Sequence, residues 1–208
     1  MTQGQPGPEG KRIQKAIFDY GVTALLIAPA CLLMAVIAVA IKIDSPGPVL
    51  FRQRRHGLNH AVFEVIKFRT MTVMEDACDS KHTDLDDSRV TRVGRFLRRT
   101  GLDELPQLIN VLKGEMSLIG PRPHAIAHNH EFQTIINGYD DRHKVKPGIS
   151  GWAQVNGCRG SADTLPKMTV RIEHDRYYID HWSMTLDLKI LIMTVILLLR
   201  SLVSVPNQ

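Results

Sequence analysis

Little in this chain speaks for an extracellular or metal-stapled fold. Cysteine occurs three times, at Cys31, Cys78 and Cys158. An odd number at wide spacing, with no CxxC pair, excludes a disulfide framework and points to a reducing compartment. Six Phe, four Tyr and two Trp are present, and they do not interleave with basic residues as a base-stacking surface would. No internal repeat and no nucleic-acid-binding motif appears, so nucleic acid is not an expected partner. His124, His128 and His130 come without HExxH or paired cysteines and read as surface or polar-face residues, not zinc ligands.

Long charge-free stretches are also scarce, and the one from Gly21 to Ile41 stands out. It is flanked by Lys11, Arg12, Lys15 and Asp19 before and by Lys42 and Asp44 after. About 20 residues cross a bilayer, and the run exceeds the ~7–15 of a secretory signal. Hydropathy alone favours a kinked single span. Pro29 in mid-run and basic flanks at both ends are instead what a helix–break–helix hairpin dipping into one leaflet would show. Residues 1–10, with Gly4, Pro6, Gly7, Pro8 and Gly10, read as a disordered leader. The 208 residues suffice for one core, or a core plus a membrane segment, and the formal charge of +5 favours an acidic partner such as phosphates, anionic lipid or nucleic acid without choosing between them.

The most informative stretch is Thr100 to Gly114. Leu105, Leu108, Ile109 and Leu112 have the i, i+3, i+4, i+7 spacing of a helix with one buried face, and Gly114 supplies its stop. With Thr100 as cap, the helix would begin at Asp103 and carry Pro106 in its first turn, where a missing N–H costs nothing. Asp103 and Glu104 then sit between Arg89, Arg92, Arg95, Arg98 and Arg99 on one side and Gly120-Pro121-Arg122-Pro123 on the other. Carboxylates able to hold a metal, flanked by arginine forks, suit a bound polyphosphate undergoing phosphoryl transfer. First-turn acids that complement the helix dipole are the bland alternative.

Elsewhere, Ser45-Pro46-Gly47-Pro48 reads as a rigid exit from the apolar run, and Val49–Arg52 and Val62–Phe68 as strands around His56-Gly57-Leu58-Asn59. Arg52, Arg54, Arg55, Lys67 and Arg69 on this hairpin could face phosphate or simply solvate an edge. Residues 75–91 form an acidic loop in which Asp84-Leu85-Asp86 matches a bare D-x-D metal pattern. A short strand Met116–Ile119, a helix over His124–Asn137 and a turn-rich loop from Arg142 to Gly157 follow, with Trp152 expected as a core anchor. Leu165–Trp182 reads as a charged amphipathic helix whose Asp175, Tyr177 and Tyr178 could approach a ligand. Ile190–Leu199 is too short to span and fits a helix on the membrane surface or on the core.

Taken together, Ser45-Pro46-Gly47-Pro48-Val49, Lys67-Phe68-Arg69-Thr70-Met71, Leu102-Asp103-Glu104-Leu105-Pro106-Gln107-Leu108, Gly114-Glu115-Met116-Ser117, Gly120-Pro121-Arg122-Pro123 and Lys146-Pro147-Gly148-Ile149-Ser150-Gly151-Trp152-Ala153-Gln154 resemble the bacterial sugar transferases, monotopic polyprenyl-phosphate phosphoglycosyl transferases. The resemblance covers about residues 11 to 201. It implies an α+β monotopic membrane protein on the cytoplasmic face of the bacterial inner membrane. Its parts would be a leader (1–10), a re-entrant hairpin broken at Pro29 (11–44) and a catalytic domain with interfacial helices (45–208).

The implied reaction transfers a hexose-1-phosphate from a UDP-sugar to undecaprenyl phosphate, releases UMP and uses Mg2+, as the first membrane step of exopolysaccharide assembly. Inner-leaflet phospholipid and downstream glycosyltransferases would be its other partners. In the family's scheme Asp103 attacks the sugar-bearing phosphorus and Glu104 helps hold the metal or positions a reacting group. Lys67, Arg98 and Arg122 match the family's basic active-site positions and Asp175 its acidic position before the tyrosine pair, and Arg69 is expected to bind substrate with them. The segment from Gly157 to Trp182 looks closest to relatives that transfer glucose-1-phosphate. Gly101 departs from the serine usual before Leu-Asp-Glu, and the chain matches the minimal catalytic form. The competing readings are a glycosyltransferase using Asp84 and Asp86, which releases UDP, and a membrane-anchored anion-binding module without turnover.

Overall fold

The computed structural model describes residues 9–72, 87–160 and 164–203. The D-x-D pattern at Asp84 and Asp86 and most of the expected leader lie outside these residues. Order in the described part begins at Glu9, with helix α1 (Glu9–Asp44).

Helix α1 runs through Pro29 without interruption. The expected break at that residue is therefore not a gap in the helix, because one missing N–H is tolerated as a kink. Lys15, Asp19, Thr23, Ala30, Ile37 and Ile41 are its buried residues, and their spacing places them on one narrow stripe. Phe18, Val22, Ile27 and Met34 are partly buried against the core, and much of the remaining apolar surface is bare: Leu25, Leu32 and Ile43 are 76%, 73% and 82% exposed. By length and composition this helix could cross a membrane, and only 17% of its most apolar window is covered by protein.

The buried stripe is held by charge as well as by packing. Lys15 Nζ lies 2.8 Å from Asp187 and 3.3 Å from Asp19, and Asp19 Oδ1 accepts from the Leu118 N–H. Asp187 also accepts from Tyr178 and Trp182. Lys15 and Asp19 flank the apolar run in sequence, yet they are anchors inside the protein.

Beyond the Ser45-Pro46 exit, strands β1 (Leu50–His56) and β2 (Val62–Phe68) form an antiparallel hairpin, Leu50 opposite Phe68 and His56 opposite Val62. At its tip Asn59 and His60 both have positive φ, 50° and 60°, a conformation costing non-glycine residues roughly 1–2 kcal/mol each. Helix α2 (Arg92–Thr100) is capped by Thr91, whose hydroxyl accepts from the Gly94 N–H, and Asp44 accepts from the Val93 N–H. Gly94 rests on the Thr70 backbone so closely that a Cβ there would sit 2.1 Å from its oxygen.

Helix α3 (Gln107–Leu112) is bolted to β2 by the fully buried Asn110, which accepts from the Ile66 N–H at 3.1 Å and donates to the Glu64 carbonyl at 2.7 Å. Strands β3 (Ser117–Ile119) and β4 (Gly148–Ser150) pair in parallel. The remaining helices are α4 (Ile126–Phe132), α5 (Trp152–Val155), α6 (Leu165–Asp180) and α7 (Met184–Val203).

One apolar core, including Val65, Leu108, Val111, Met116, Ile119, Val155 and Ile190, joins the hairpin, both pairs of strands and α7. Ile190 is buried, whereas Leu188, Ile192, Val195, Ile196 and Leu199 are exposed along the opposite face of α7. Core packing and an apolar outward face thus coexist on one helix. Trp152 packs against the core, stacks on Tyr177 and lies beneath Lys189.

Candidate active site

Gly101 ends α2 with φ +72°, the left-handed conformation in which glycine carries no Cβ penalty. The glycine that departs from the family's serine therefore suits its place. Leu102–Glu104 then form a single 3-10 turn, and Pro106 precedes α3. Two expectations change accordingly: Thr100 belongs to α2 instead of capping the next helix, and the carboxylates stand on the turn before α3 instead of inside it. The turn aims both of them at the end of β2 and the loop after β3.

Glu104 is clamped there. Arg122 donates through Nη1 to Oε2 at 3.0 Å and through Nη2 to Oε1 at 2.5 Å, and Lys67 Nζ lies 2.8 Å from Oε1. Such a fork is among the stronger pairings available to a carboxylate. Although burial opposes the charge, the Arg122 and Lys67 cations hold Glu104 well below the usual carboxylate range. Burial in turn lowers Lys67.

Asp103 is left open, since no described side chain donates to it. Burial first, then the Glu104 charge beside it, raise its carboxyl above the ordinary range, while Lys67, Arg122 and Arg98 pull it back. Arg98 donates from Nε to the Thr70 hydroxyl at 2.9 Å and bears on Asp103 from the α2 side.

Arg122 is rigidly mounted. Pro121 and Pro123 flank it, Arg142 donates to its own carbonyl, and Arg55 donates to the Pro123 carbonyl. Next to this loop Gly120 and Gly148 approach so closely that a Cβ on Gly148 would meet the Gly120 nitrogen at 2.1 Å. Burial and then Arg122 push Arg55 down to about 10.

Asp175 is also buried, and it meets Arg142 at 3.1 Å. Burial pushes its carboxyl up to about 6 despite the cations beside it. It stands behind the cluster, paired with Arg142, whose guanidinium holds the Arg122 carbonyl, and close enough to Arg171 to feel its charge. Tyr178 belongs to the fold, contacting the Ile119 carbonyl and Asp187.

Of the residues expected to bind substrate, Lys67, Arg98 and Arg122 therefore surround the two carboxylates. Arg69 does not. Its guanidinium is buried and donates to the Ser45 and Pro46 carbonyls and the Ser45 hydroxyl, pinning the exit of α1. Sequence reasoning undervalued three cations: Arg55, Arg142 and Arg159, the last close enough to respond to Glu104 and Arg122. Arg55 lay within a recognised basic run, but a run of basic residues does not say which of them turns inward. The site carries more positive than negative charge and two unlike carboxylates, an arrangement suited to a phosphate ester and an attacking anion.

A family model for bacterial sugar transferases matches residues 10–201. The chain is 52% identical over 184 residues to a UDP-glucose:undecaprenyl-phosphate glucose-1-phosphate transferase of Escherichia coli (strain K12), covering 88% of this chain and 40% of that protein. A Caulobacter vibrioides protein of the same name is 49% identical over 183 residues, 88% of this chain and 68% of that one. A UDP-N-acetylgalactosamine-undecaprenyl-phosphate N-acetylgalactosaminephosphotransferase of Aeromonas hydrophila is 46% identical over 163 residues, 78% of this chain and 38% of that protein. The chain thus spans well under half the length of two of these relatives.

Proposed function

The chain belongs to the bacterial sugar transferase family, and we propose that it transfers a hexose-1-phosphate, glucose-1-phosphate in the first instance, from a UDP-sugar to undecaprenyl phosphate. The observation that carries this reading is the asymmetry of the two carboxylates: Glu104 is clamped by Arg122 and Lys67, and the adjacent, more basic Asp103 is open to attack. Relatives whose names specify UDP-glucose favour that donor. The Aeromonas relative, named for N-acetylgalactosamine, keeps other sugars in the assay.

In this reaction an Asp103 oxygen forms a bond to the sugar-bearing phosphorus, and the bridging P–O bond breaks so that UMP leaves with the electron pair. An oxygen of undecaprenyl phosphate then attacks the same phosphorus, releasing the lipid diphosphosugar and restoring the Asp103 carboxylate. Covalent catalysis of this kind divides one transfer between two anions into two easier steps. Lys67, Arg98, Arg122 and Arg159 neutralise the diphosphate, and the fixed Arg122 loses little entropy in doing so.

Magnesium fits beside these residues. Among the described residues no side chain donates to Asp103, and Glu104 Oε2 accepts from Arg122 alone, which leaves it a lone pair. An ion held by Asp103 and Glu104 would add charge neutralisation at the substrate's phosphates.

The exposed apolar faces of α1 and α7 suit lipid. In this reading α1 enters and leaves one leaflet with its bend at Pro29, residues 45–208 form the catalytic domain on the cytoplasmic side, and inner-leaflet phospholipid surrounds the outward face of α7. The lipid product would pass to downstream glycosyltransferases.

The test is nucleotide release from purified protein in nanodiscs with magnesium, undecaprenyl phosphate and a panel of UDP-sugars, beside Asp103→Asn. UMP formed with one sugar, a phosphosugar adduct on the Asp103 peptide when the acceptor is withheld, and loss of both in the variant are expected. Release of UDP, or normal turnover by Asp103→Asn, overturns the reading.

A further inference from the structure

The tip of the β1–β2 hairpin meets a turn far along the chain through histidines that the active site does not use. His56 closes β1, His60 lies at the tip, and His143 comes from the 3-10 turn Tyr139–Lys144. One ring nitrogen from each lies within 4.8 Å of the other two. The ring centroids of His60 and His143 are 4.2 Å apart, and His56 stands 5.7 and 5.8 Å from the pair.

His143 is 94% buried, being 6% exposed. Its Nδ1 faces the Gly57 carbonyl at 3.3 Å, so the ring proton belongs on that nitrogen. The other nitrogen, Nε2, is buried and has no hydrogen-bond partner. Buried polar atoms without a partner are rare in folded proteins. A histidine that donates from one nitrogen to a carbonyl and points a bare lone pair from the other is disposed as metal-ligating histidines are. Asn129 donates from Nδ2 to His56 Nδ1 at 2.9 Å while its Oδ1 accepts from Tyr139, which fixes the orientation of that ring. The two consecutive left-handed residues at Asn59 and His60 turn the third ring toward the other two.

We propose that His56, His60 and His143 form a binding site for a divalent transition metal of the zinc class, which pins the hairpin tip to the turn at residues 139–144. Three imidazoles without a carboxylate select zinc, nickel, cobalt or copper over magnesium and calcium, which prefer oxygen. Bonds of roughly 2.0–2.1 Å to a four-coordinate ion bring ligand nitrogens to about 3.3 Å. From within 4.8 Å the three nitrogens have to draw together on binding, and His60, whose side chain is exposed, has the most room to swing. Water takes the fourth position. The turn that the metal fixes carries Arg142, which holds the Arg122 carbonyl, so the site steadies the active-site loop without touching substrate.

The experiment uses the full chain in detergent with any affinity tag removed, stripped with chelator and then equilibrated with micromolar Zn2+. One zinc per chain after desalting and a rise in unfolding temperature with zinc are expected, since a ligand that binds only the folded state stabilises it. His60→Ala should weaken binding more than tenfold and abolish that rise, while His181→Ala, exposed and outside the cluster, leaves both intact. Co2+ should give the intense visible absorption of a four-coordinate site, and His60→Cys should add sulfur-to-cobalt charge transfer. Substoichiometric zinc in the parent chain, or undiminished binding by His60→Ala, overturns the proposal.

Discussion

Arg122 grips Glu104 through both carboxylate oxygens, at 3.0 and 2.5 Å, while Asp103, one residue earlier, has no side-chain donor among the described residues. Adjacent acids on one turn are thereby given opposite characters. Glu104 is ionised throughout the working pH range and organises cations, whereas Asp103 keeps basicity and access. A nucleophilic carboxylate needs both properties.

Opposite shifts of one pH profile follow from the charges around Asp103. In the proposed mechanism only its ionised form attacks, so activity should fall as pH drops through its raised pKa. Glu104→Gln removes the neighbouring negative charge and leaves Lys67 and Arg122 to act on Asp103, so the acid limb of UMP release should move to lower pH. Arg122→Gln removes a cation that lowers the same group, and the limb should move to higher pH. Each variant should also lose about 10²-fold or more in maximal rate, the usual consequence of deleting one preorganised charge partner. Shifts in the same direction would show that Asp103 does not set the limb.

Short motifs and strand patterns were legible in the sequence, whereas helix phase, which depends on a turn, was not. The acids at 103 and 104, the arginine between prolines at 122 and the hairpin strands were legible. The buried face of α3 was not. Leu112, counted on the core stripe, is 44% exposed, while Val111, Asn110 and Gln107 are buried. A 3-10 turn of three residues precedes the helix, and its shorter repeat advances the phase that a single α-helix from Asp103 would have had. Lys15 and Asp19 looked like flanks of a membrane segment because sequence cannot reveal that Asp187, 172 residues after Lys15, meets Lys15, or that the Leu118 N–H meets Asp19. The turn of Arg69 toward Ser45 is equally nonlocal.

Asn110 offers a stability test independent of catalysis. Its side chain satisfies the buried Ile66 N–H and the Glu64 carbonyl, and it also donates to Glu115 at 2.7 Å. Asn110→Ala strands those groups where water replaces them poorly. A loss of about 2–4 kcal/mol is expected from stranded buried polar groups, read from chemical unfolding of the protein in detergent. A loss below about 0.5 kcal/mol, the size of ordinary surface effects, would mean that β2 and α3 are not joined this way.

Lys15 tests the attachment of α1. Lys15→Met leaves Asp187 buried with an uncompensated charge and removes the cation beside Asp19. Breaking one side of a buried pair costs about 3–5 kcal/mol, and Lys15→Met combined with Asp187→Asn should recover part of it. A double-mutant cycle on unfolding temperature measures the coupling. Additive losses would argue that the two residues do not meet.

The last prediction concerns the path of α1 through lipid. Its ends are both held to the protein: Lys15 and Asp19 by Asp187 and β3, Ile37 and Ile41 by the cluster of Phe68 and Leu97. A helix crossing the bilayer once would carry one of these attachments to the far side, separating the network around Asp187 from the Phe68 cluster although a single apolar core links their elements. The re-entrant path keeps both on one side, with Pro29 permitting the bend. In a chain lacking Cys31, Cys78 and Cys158, single cysteines introduced as Glu9→Cys and Ile43→Cys should both be labelled by an impermeant maleimide in inverted vesicles, and neither in intact cells with a permeabilised outer membrane. Labelling of one position from each side would establish a single span and exclude the hairpin.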